Sequence, residues 1–284
     1  MKIGFYGAGR VGCTLGRYFR EHGLNVTGFY SRNPEHAEEA AQLTGTSRYE
    51  TCESLLDEND VLFLTVSDKA IPVVTKQLTD MGKDLLKGKL LCHTSGAMSS
   101  AVFSGTGAFG YSIHPLLAIS NRENSYRDLP QAFFTVEGDP EYLQYWLELL
   151  SGIGLYVKTI SAEEKVRYHA AAVMASNLVC GLYDMAAEEL AKCGFTKSEA
   201  EQALKGLFLE NAKGITKNGV TAQLTGPAER GDAETVRKHL SVIEEDTREA
   251  YRLLSEKVLK VAERKNPETD YSAVRETLAE KVCE

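Results

Sequence analysis

Over the first part of the chain, short apolar runs alternate with stretches whose apolar positions recur every three or four residues. The first pattern is that of buried strands, the second that of amphipathic helices. Strands are predicted at Lys2–Tyr6 (KIGFY), Asn25–Tyr30, Thr46–Tyr49, Val61–Val66 (VLFLTV), Leu90–Thr94, Phe109–Ile113, Ala132–Val136 and Leu155–Thr159. Helices are predicted over Arg10–His22, Pro34–Leu43, Cys52–Glu58, from about Lys69, and over Pro140–Leu150. VLFLTV is apolar at successive positions, as in a strand covered on both faces. Alternation of this kind predicts a parallel, doubly wound sheet. From Ser161 the strand signal disappears, and long helical patterns follow over Ala162–Lys192, Lys197–Lys217, Ala233–Lys265 and Tyr271–Lys281. Gly194, Gly219 and Gly226-Pro227 punctuate them as turn signals. The shift predicts two domains: an α/β domain at residues 1–160 and an all-α domain at residues 161–284.

Composition changes this picture little. A chain of 284 residues with 43% hydrophobic residues can build two cores. The net charge of -8 comes from scattered acids, which argues against a nucleic-acid or anionic-membrane partner and favours a small-molecule substrate. No uncharged apolar run spans a bilayer, and a strand starting at residue 2 leaves no room for a signal peptide, so a cytoplasmic protein is expected. The six cysteines (Cys13, Cys52, Cys92, Cys180, Cys193, Cys283) show no CxxC or Cys/His clustering, so reduced thiols are expected, with neither a disulfide framework nor a metal site.

The chemistry starts at the first strand's end, where Gly7-Ala8-Gly9-Arg10-Val11-Gly12 fits the dinucleotide fingerprint GxGxxG in its required strand-turn-helix setting. Gly7 allows the tight turn, Gly9 lets the backbone approach a pyrophosphate, and Gly12 lets helix and strand pack closely. Val11 lies in the same loop, and Arg10 adds positive charge there. The second strand ends in Ser31-Arg32-Asn33, where an NAD protein usually carries an acid for the ribose hydroxyls. A forked, permanent guanidinium at Arg32, with Ser31 and Asn33 beside it, suits a 2′-phosphate and predicts NADP(H).

In a doubly wound sheet, ligands bind at the carboxyl ends of the strands. Thr65, Val66 and Ser67 after the fourth strand and Ser95 after the fifth are therefore further cofactor candidates. His114, held before Pro115, is the best acid/base candidate in this domain, because an imidazole titrates near neutrality. On the long helical pattern, Lys165, His169 and Ser176 fall within about 40° of one another, with Asn177 at the stripe's edge. A lysine there can stabilise a developing alkoxide and an asparagine can orient a carbonyl. The alternative leaves Lys165 and His169 at an exposed helix start and Asn177 on a neighbouring backbone group. In Leu224-Thr225-Gly226-Pro227-Ala228-Glu229-Arg230-Gly231-Asp232, Asp232 can cap the next helix and Arg230 can clamp an anionic substrate.

Taken together, GAGRVG, YSRN, TVSDKAI, HTSGA, SIHPL, KVRYHAAAVMASN and LTGPAERGD resemble the Rossmann-like, NADP-oxidoreductase-type proteins with a helical C-terminal domain of unknown function. That family is similar in architecture to pyrroline-5-carboxylate reductase, ketopantoate reductase and the 3-hydroxyacid dehydrogenases. The resemblance implies an NADP-binding Rossmann domain, an all-α domain of the 6-phosphogluconate dehydrogenase C-terminal-like type that forms a homodimer, and an active site in the cleft. Two departures bear on chemistry. The position one turn after Lys165 is His169, and Asn177 comes much later, so the lysine-asparagine pair of the hydroxyacid dehydrogenases does not carry over. TGPAERGD also differs from the Gly- and Thr-rich loop of pyrroline-5-carboxylate reductase, so proline synthesis is not expected. The expectation is hydride transfer from NADPH to a C=O or C=N bond of a small, anionic metabolite. His114 or His169 would supply the proton, with Lys165, Asn177 and Arg230 on the acceptor. The alternatives are a non-catalytic NADP(H) sensor or scaffold and a deazaflavin-linked NADP oxidoreductase.

Overall fold

The structure is a computed structural model that describes residues 1–280; Cys283 and the end of the predicted Tyr271–Lys281 helix lie outside them. An eight-stranded sheet organises the N-terminal part, built from β1 (Lys2–Tyr6), β2 (Asn25–Tyr30), β3 (Ser47–Arg48), β4 (Val61–Leu64), β5 (Leu90–His93), β6 (Phe109–Leu116), β7 (Phe133–Gly138) and β8 (Tyr156–Thr159). The order is β3-β2-β1-β4-β5-β6-β7-β8, and its first six strands follow the doubly wound dinucleotide-binding order. The sequence therefore folds as the α/β Rossmann-type architecture expected of it.

The helices on this sheet are α1 (Arg10–Glu21), α2 (Pro34–Thr44), α3 (Cys52–Glu58), α4 (Ile71–Met81), α5 (Lys83–Leu86) and α6 (Leu143–Gly152). Strand alternation sends Ile3, Phe5, Val61 and Phe63 into one core with Leu15, Phe19 and Trp146. Tyr6, Leu62 and Leu64 enter the opposite core with Leu55, Val74 and Leu78. Both faces are covered, which is why β4 reads as an unbroken apolar run.

The sheet is not wholly parallel, as the alternation predicted. β6 and β7 pair antiparallel, His114 opposite Thr135. A parallel neighbour needs a crossover element, and the β6–β7 connection carries only the 3₁₀ turn Ser125–Gln131. α6 then supplies a crossover, and β8 pairs parallel to β7. β6 also continues past the predicted Ile113 to Leu116, so His114 and Pro115 are strand residues.

After β8, α7 (Lys165–Met174) is followed by α8 (Asn177–Lys192), α9 (Lys197–Asn218), α10 (Val220–Gln223), α11 (Ala233–Val242), α12 (Glu245–Lys265) and α13 (Ser272–Ala279). Two predicted helices are thus divided. Ala162–Lys192 breaks at Ala175–Ser176, and Ala233–Lys265 at Ile243–Glu244. Ser176 consequently does not continue the α7 stripe of Lys165 and His169; its hydroxyl donates to the Ala172 carbonyl at 2.7 Å. Two compact units emerge, residues 1–176 and 177–284, so α7 belongs to the sheet unit, although the composition shift falls near residue 160. The second unit has its own core of Val236, Leu240, Leu259, Ala262, Tyr271, Val274 and Leu278.

Candidate active site

The parallel strands β1, β2, β4, β5 and β6 present their carboxyl ends along one edge of the sheet. At the first of these ends, Gly7 has φ +115°, a conformation that favours glycine, and a Cβ there would lie 2.8 Å from the Thr65 backbone. A Cβ on Gly12 would come within 2.6 Å of the Gly7 carbonyl oxygen and Thr65 Oγ1. The Thr65 hydroxyl donates to that carbonyl at 2.8 Å, so Thr65 holds the loop's shape from beneath. At Gly9 a Cβ would meet nothing within 4 Å. Gly9 also caps α1 with no side-chain hydrogen bond to the helix's first N–H groups. Open space over an uncapped helix start is what a pyrophosphate requires, so the residues present fit a dinucleotide.

Around this loop Ala8 is buried and Val11 half-buried, whereas Arg10 is exposed. Arg122, which sequence reasoning missed, donates to the Ala8 carbonyl at 2.9 Å, to Cys13 Sγ at 3.4 Å and to the His36 carbonyl at 3.3 Å, and pairs with Glu39 at 2.5 Å. Its place between two strands, with no motif around it, gave no local signal. After β2, Arg32 is exposed. Asn33 is committed locally: its side chain accepts from Glu35 N at 3.0 Å as the N-cap of α2, and its backbone N–H donates to Ser31 Oγ at 3.3 Å. Val66 is half-buried, and Ser67 is exposed at the start of the 3₁₀ turn Asp68–Ala70.

A second cluster lies at the ends of β5 and β6. Buried Ser95 donates from Oγ to Asp68 Oδ2 at 2.7 Å and accepts from the Met98 N–H at 3.1 Å. His93, fully buried, accepts from Ser95 N at Nδ1 (3.2 Å), so Nε2 donates to the Ser99 carbonyl (3.2 Å). Burial, aided by the Lys165 charge, pushes the His93 imidazole down to about 4. The Ser95 carbonyl accepts from Ser112 Oγ at 3.1 Å and from Lys165 Nζ at 3.2 Å, and Lys165 Nζ reaches Ser112 Oγ at 2.5 Å. Lys165 is only 1% exposed. Burial holds its ammonium down to about 8, against the opposite pull of Glu137 and Asp68. The structure thus turns the Lys165 ammonium onto a backbone carbonyl and a hydroxyl, not toward an exposed helix start.

Two imidazoles flank Gly96. A Cβ on Gly96 would lie 2.6 Å from His169 Cδ2 and 3.0 Å from His114 Nε2, so only glycine fits beneath the pair. His114 Nδ1 hydrogen-bonds the Tyr168 hydroxyl at 2.9 Å. Burial first, then the charges of Lys165 and His169, lower His114 to about 4, so its imidazole is neutral at neutral pH. Tyr168 sits beside His169 and three residues after Lys165, on one face of α7. That i, i+3, i+4 spacing was the available signal for Tyr168, which sequence reasoning had passed over.

His114, Lys165, His169 and Ser95 therefore come together within the first unit. Asn177 opens α8 in the second unit, and Arg230 is exposed in its loop. That loop is held internally: Tyr271 Oη donates to the Glu229 carbonyl at 2.7 Å, Lys265 Nζ to the Leu224 carbonyl at 2.6 Å, and Asp232 caps α11 by accepting from Thr235 N at 3.0 Å.

Comparison with known proteins bears on the fold and the cofactor class. Residues 2–95 match the family described as NADP oxidoreductase, coenzyme F420-dependent, and residues 132–258 match a domain of unknown function (DUF2520). Protein TM1727 from Thermotoga maritima is similar over 93% of this chain and 99% of its own, at 29% identity and a TM-score of 0.73. An imine reductase from Myxococcus stipitatus in complex with NADP+ shares the fold over 99% and 100% of the two chains (16% identity, TM-score 0.61). A pyrroline-5-carboxylate reductase from Coxiella burnetii shares it over 98% of each chain (14% identity, TM-score 0.56). No curated protein matches this chain. Fold, loop and family matches define the class, an NADP-dependent oxidoreductase on a Rossmann-type domain. The domain of unknown function begins before β7 in the sheet unit and runs on into α12 of the helical unit, and the cofactor is NADP(H).

Proposed function

We propose that this protein reduces a C=O or C=N bond of a small metabolite at the Gly96 face. The observation that carries this reading is the pair of imidazoles over Gly96, on the same sheet edge as the Gly-rich loop. NADPH, when bound, supplies the hydride. Ser31 and Arg32 lie where a 2′-phosphate would be held, and the Gly7 to Gly12 loop where the pyrophosphate would rest. His114 is neutral and, when the Tyr168 hydroxyl donates to Nδ1, carries its proton at Nε2 over Gly96. An Nε2–H there donates a hydrogen bond to the acceptor heteroatom as negative charge develops on it, as a neutral imidazole can, and the proton that completes the reduction comes from solvent water. His169 lies against the other side of Gly96. Asp68, tied to Ser95, is an exposed charge on this face; the anionic substrate expected from Arg230 rests on the second unit alone.

The test is steady-state NADPH oxidation with a panel of 2-oxo acids and cyclic imines. His114→Ala should lower kcat/KM by about 100-fold and Tyr168→Phe by about tenfold. Both variants should bind NADPH as the wild type does, and Arg32→Ala alone should lose the preference for NADPH over NADH. Full turnover in the His114→Ala and Tyr168→Phe variants would contradict the assignment. A second reading is favoured by the N-terminal family match, whose description reads coenzyme F420-dependent, F420 being a deazaflavin. In it the same face passes hydride between NADP(H) and a deazaflavin, and reduced deazaflavin joins the panel for that reason.

A second copy of the chain also belongs to this proposal. Leu178 and Leu182 on α8 and Leu207 and Phe208 on α9 are 39 to 72% exposed, and they suit a homodimer through the helical unit in the cytoplasm.

A further inference from the structure

We propose that Lys165 is a positioning residue: its ammonium fixes the Ser95–Gly96 turn on which the nicotinamide half of the cofactor rests, and it does not touch the substrate. The inference rests on the reading of the Gly96 face as the place of hydride transfer.

The geometry of the turn carries it. Lys165 lies sealed within the first unit, with Nζ shared between the Ser95 carbonyl (3.2 Å) and Ser112 Oγ (2.5 Å). Ser112 in turn donates to the same Ser95 carbonyl (3.1 Å), so two donors converge on one backbone oxygen. On its side-chain end, Ser95 is anchored to Asp68 (2.7 Å). Ser95 is thereby tied to α7 and β6 through its carbonyl and to the β4 loop through its hydroxyl. Gly96 follows immediately and forms the floor under His114 and His169. Two of the three ammonium donors are spent on these oxygens, and at 1% exposure the side chain is closed off from solvent, so a bound substrate would reach it only if this packing opened.

The charges around the ammonium fit a positioning role. Glu137 on β7 and Asp68 after β4 favour the charged form. The imidazoles of His93 on β5 and His114 on β6 are themselves held neutral, in part by this lysine. Glu137 is occupied by Ser100, whose N–H and hydroxyl donate to it at 2.8 and 2.7 Å, so it supports the ammonium without taking it as a direct partner. Charge-assisted hydrogen bonds are about twice as strong as neutral ones, so loss of the proton loosens the turn.

The test measures binding, which does not depend on any substrate being found. NADPH and adenosine 2′,5′-bisphosphate, which lacks the nicotinamide half, are titrated into wild type, Lys165→Met and Ser112→Ala at about pH 7 and about pH 9.5. Lys165→Met should weaken NADPH by about tenfold and leave the bisphosphate unchanged, with Ser112→Ala showing a smaller effect in the same direction. Wild type should lose NADPH affinity as pH rises through about 8, where the ammonium is lost, while Lys165→Met is flat. Unchanged NADPH binding in Lys165→Met, with turnover abolished and restored by added alkylamine, would overturn the proposal and make the lysine a substrate ligand. Should Lys165→Met not fold, Ser112→Ala and the wild-type pH profile decide: unaltered affinity in both overturns it. A wild type that binds NADPH but turns over no panel member defeats the reading of the reaction and leaves the binding result standing.

Discussion

At the scale of single residues, the glycines of the first turn do different work, and the difference can be measured. Gly12 has the Gly7 carbonyl and Thr65 where a Cβ would go, whereas Gly9 faces open space. Gly12→Ala should therefore destabilise the fold by about 1–3 kcal/mol, as forced overpacking does. Gly9→Ala should melt at the wild-type temperature and still lose NADPH affinity, because its methyl group occupies the place of the pyrophosphate. Thermal melts paired with NADPH titrations check both, and equal melting temperatures for the two variants would contradict the division of roles. The shape of the Gly-rich loop was legible in the sequence because the fingerprint is local: a few consecutive residues suffice to fix it. Tyr168, Arg122 and the closeness of Ser112 to Lys165 were not, since each depends on partners 53 to 114 residues away along the chain. Lys165 was legible as a residue but not in its direction, because helical spacing gives a face and not what that face meets.

Elements were readable where one signal dominated. The apolar run at β4 and the periodicities of α1 and α2 gave their boundaries to within a residue or two, as ends set by Gly9, Asn33 and Gly45 allow. Readings failed where tertiary structure overruled the local pattern. Ala162–Lys192 has no proline or glycine at its break, yet the chain leaves the helix at Ala175–Ser176 and so puts Asn177 at the start of a new helix. β6 extends through Pro115, which strands tolerate where no ladder N–H is required. That extension sets His114 within the ladder opposite Thr135, a firmer placement than a loop position. The break after α7 keeps Lys165, Tyr168 and His169 in the sheet unit, so they and His114 are held by one compact body.

For the molecule as a whole, the helical unit exposes more large apolar side chains than a lone copy readily keeps in water. The stretch Lys165–Lys192 is even apolar enough by length and composition to cross a membrane, although it is broken within and only 6% of its most apolar window is buried. The proposed second copy would cover the exposed side chains of α8 and α9. Sedimentation should give a dimer, and Leu182→Glu or Leu207→Glu should shift it to monomer. A wild-type monomer at micromolar concentration would contradict the proposed homodimer. The central claim is that the Gly96 face transfers hydride, and the most direct measurement of it is deuterium transfer from NADPH deuterated at the nicotinamide C4 to the panel of oxo acids, cyclic imines and deazaflavin. The account predicts deuterium on the reduced carbon of at least one product, with the transfer slowed about 100-fold in His114→Ala. Tight NADPH binding with no deuterium leaving the cofactor for any panel member would contradict it and favour a protein that senses NADPH without consuming it.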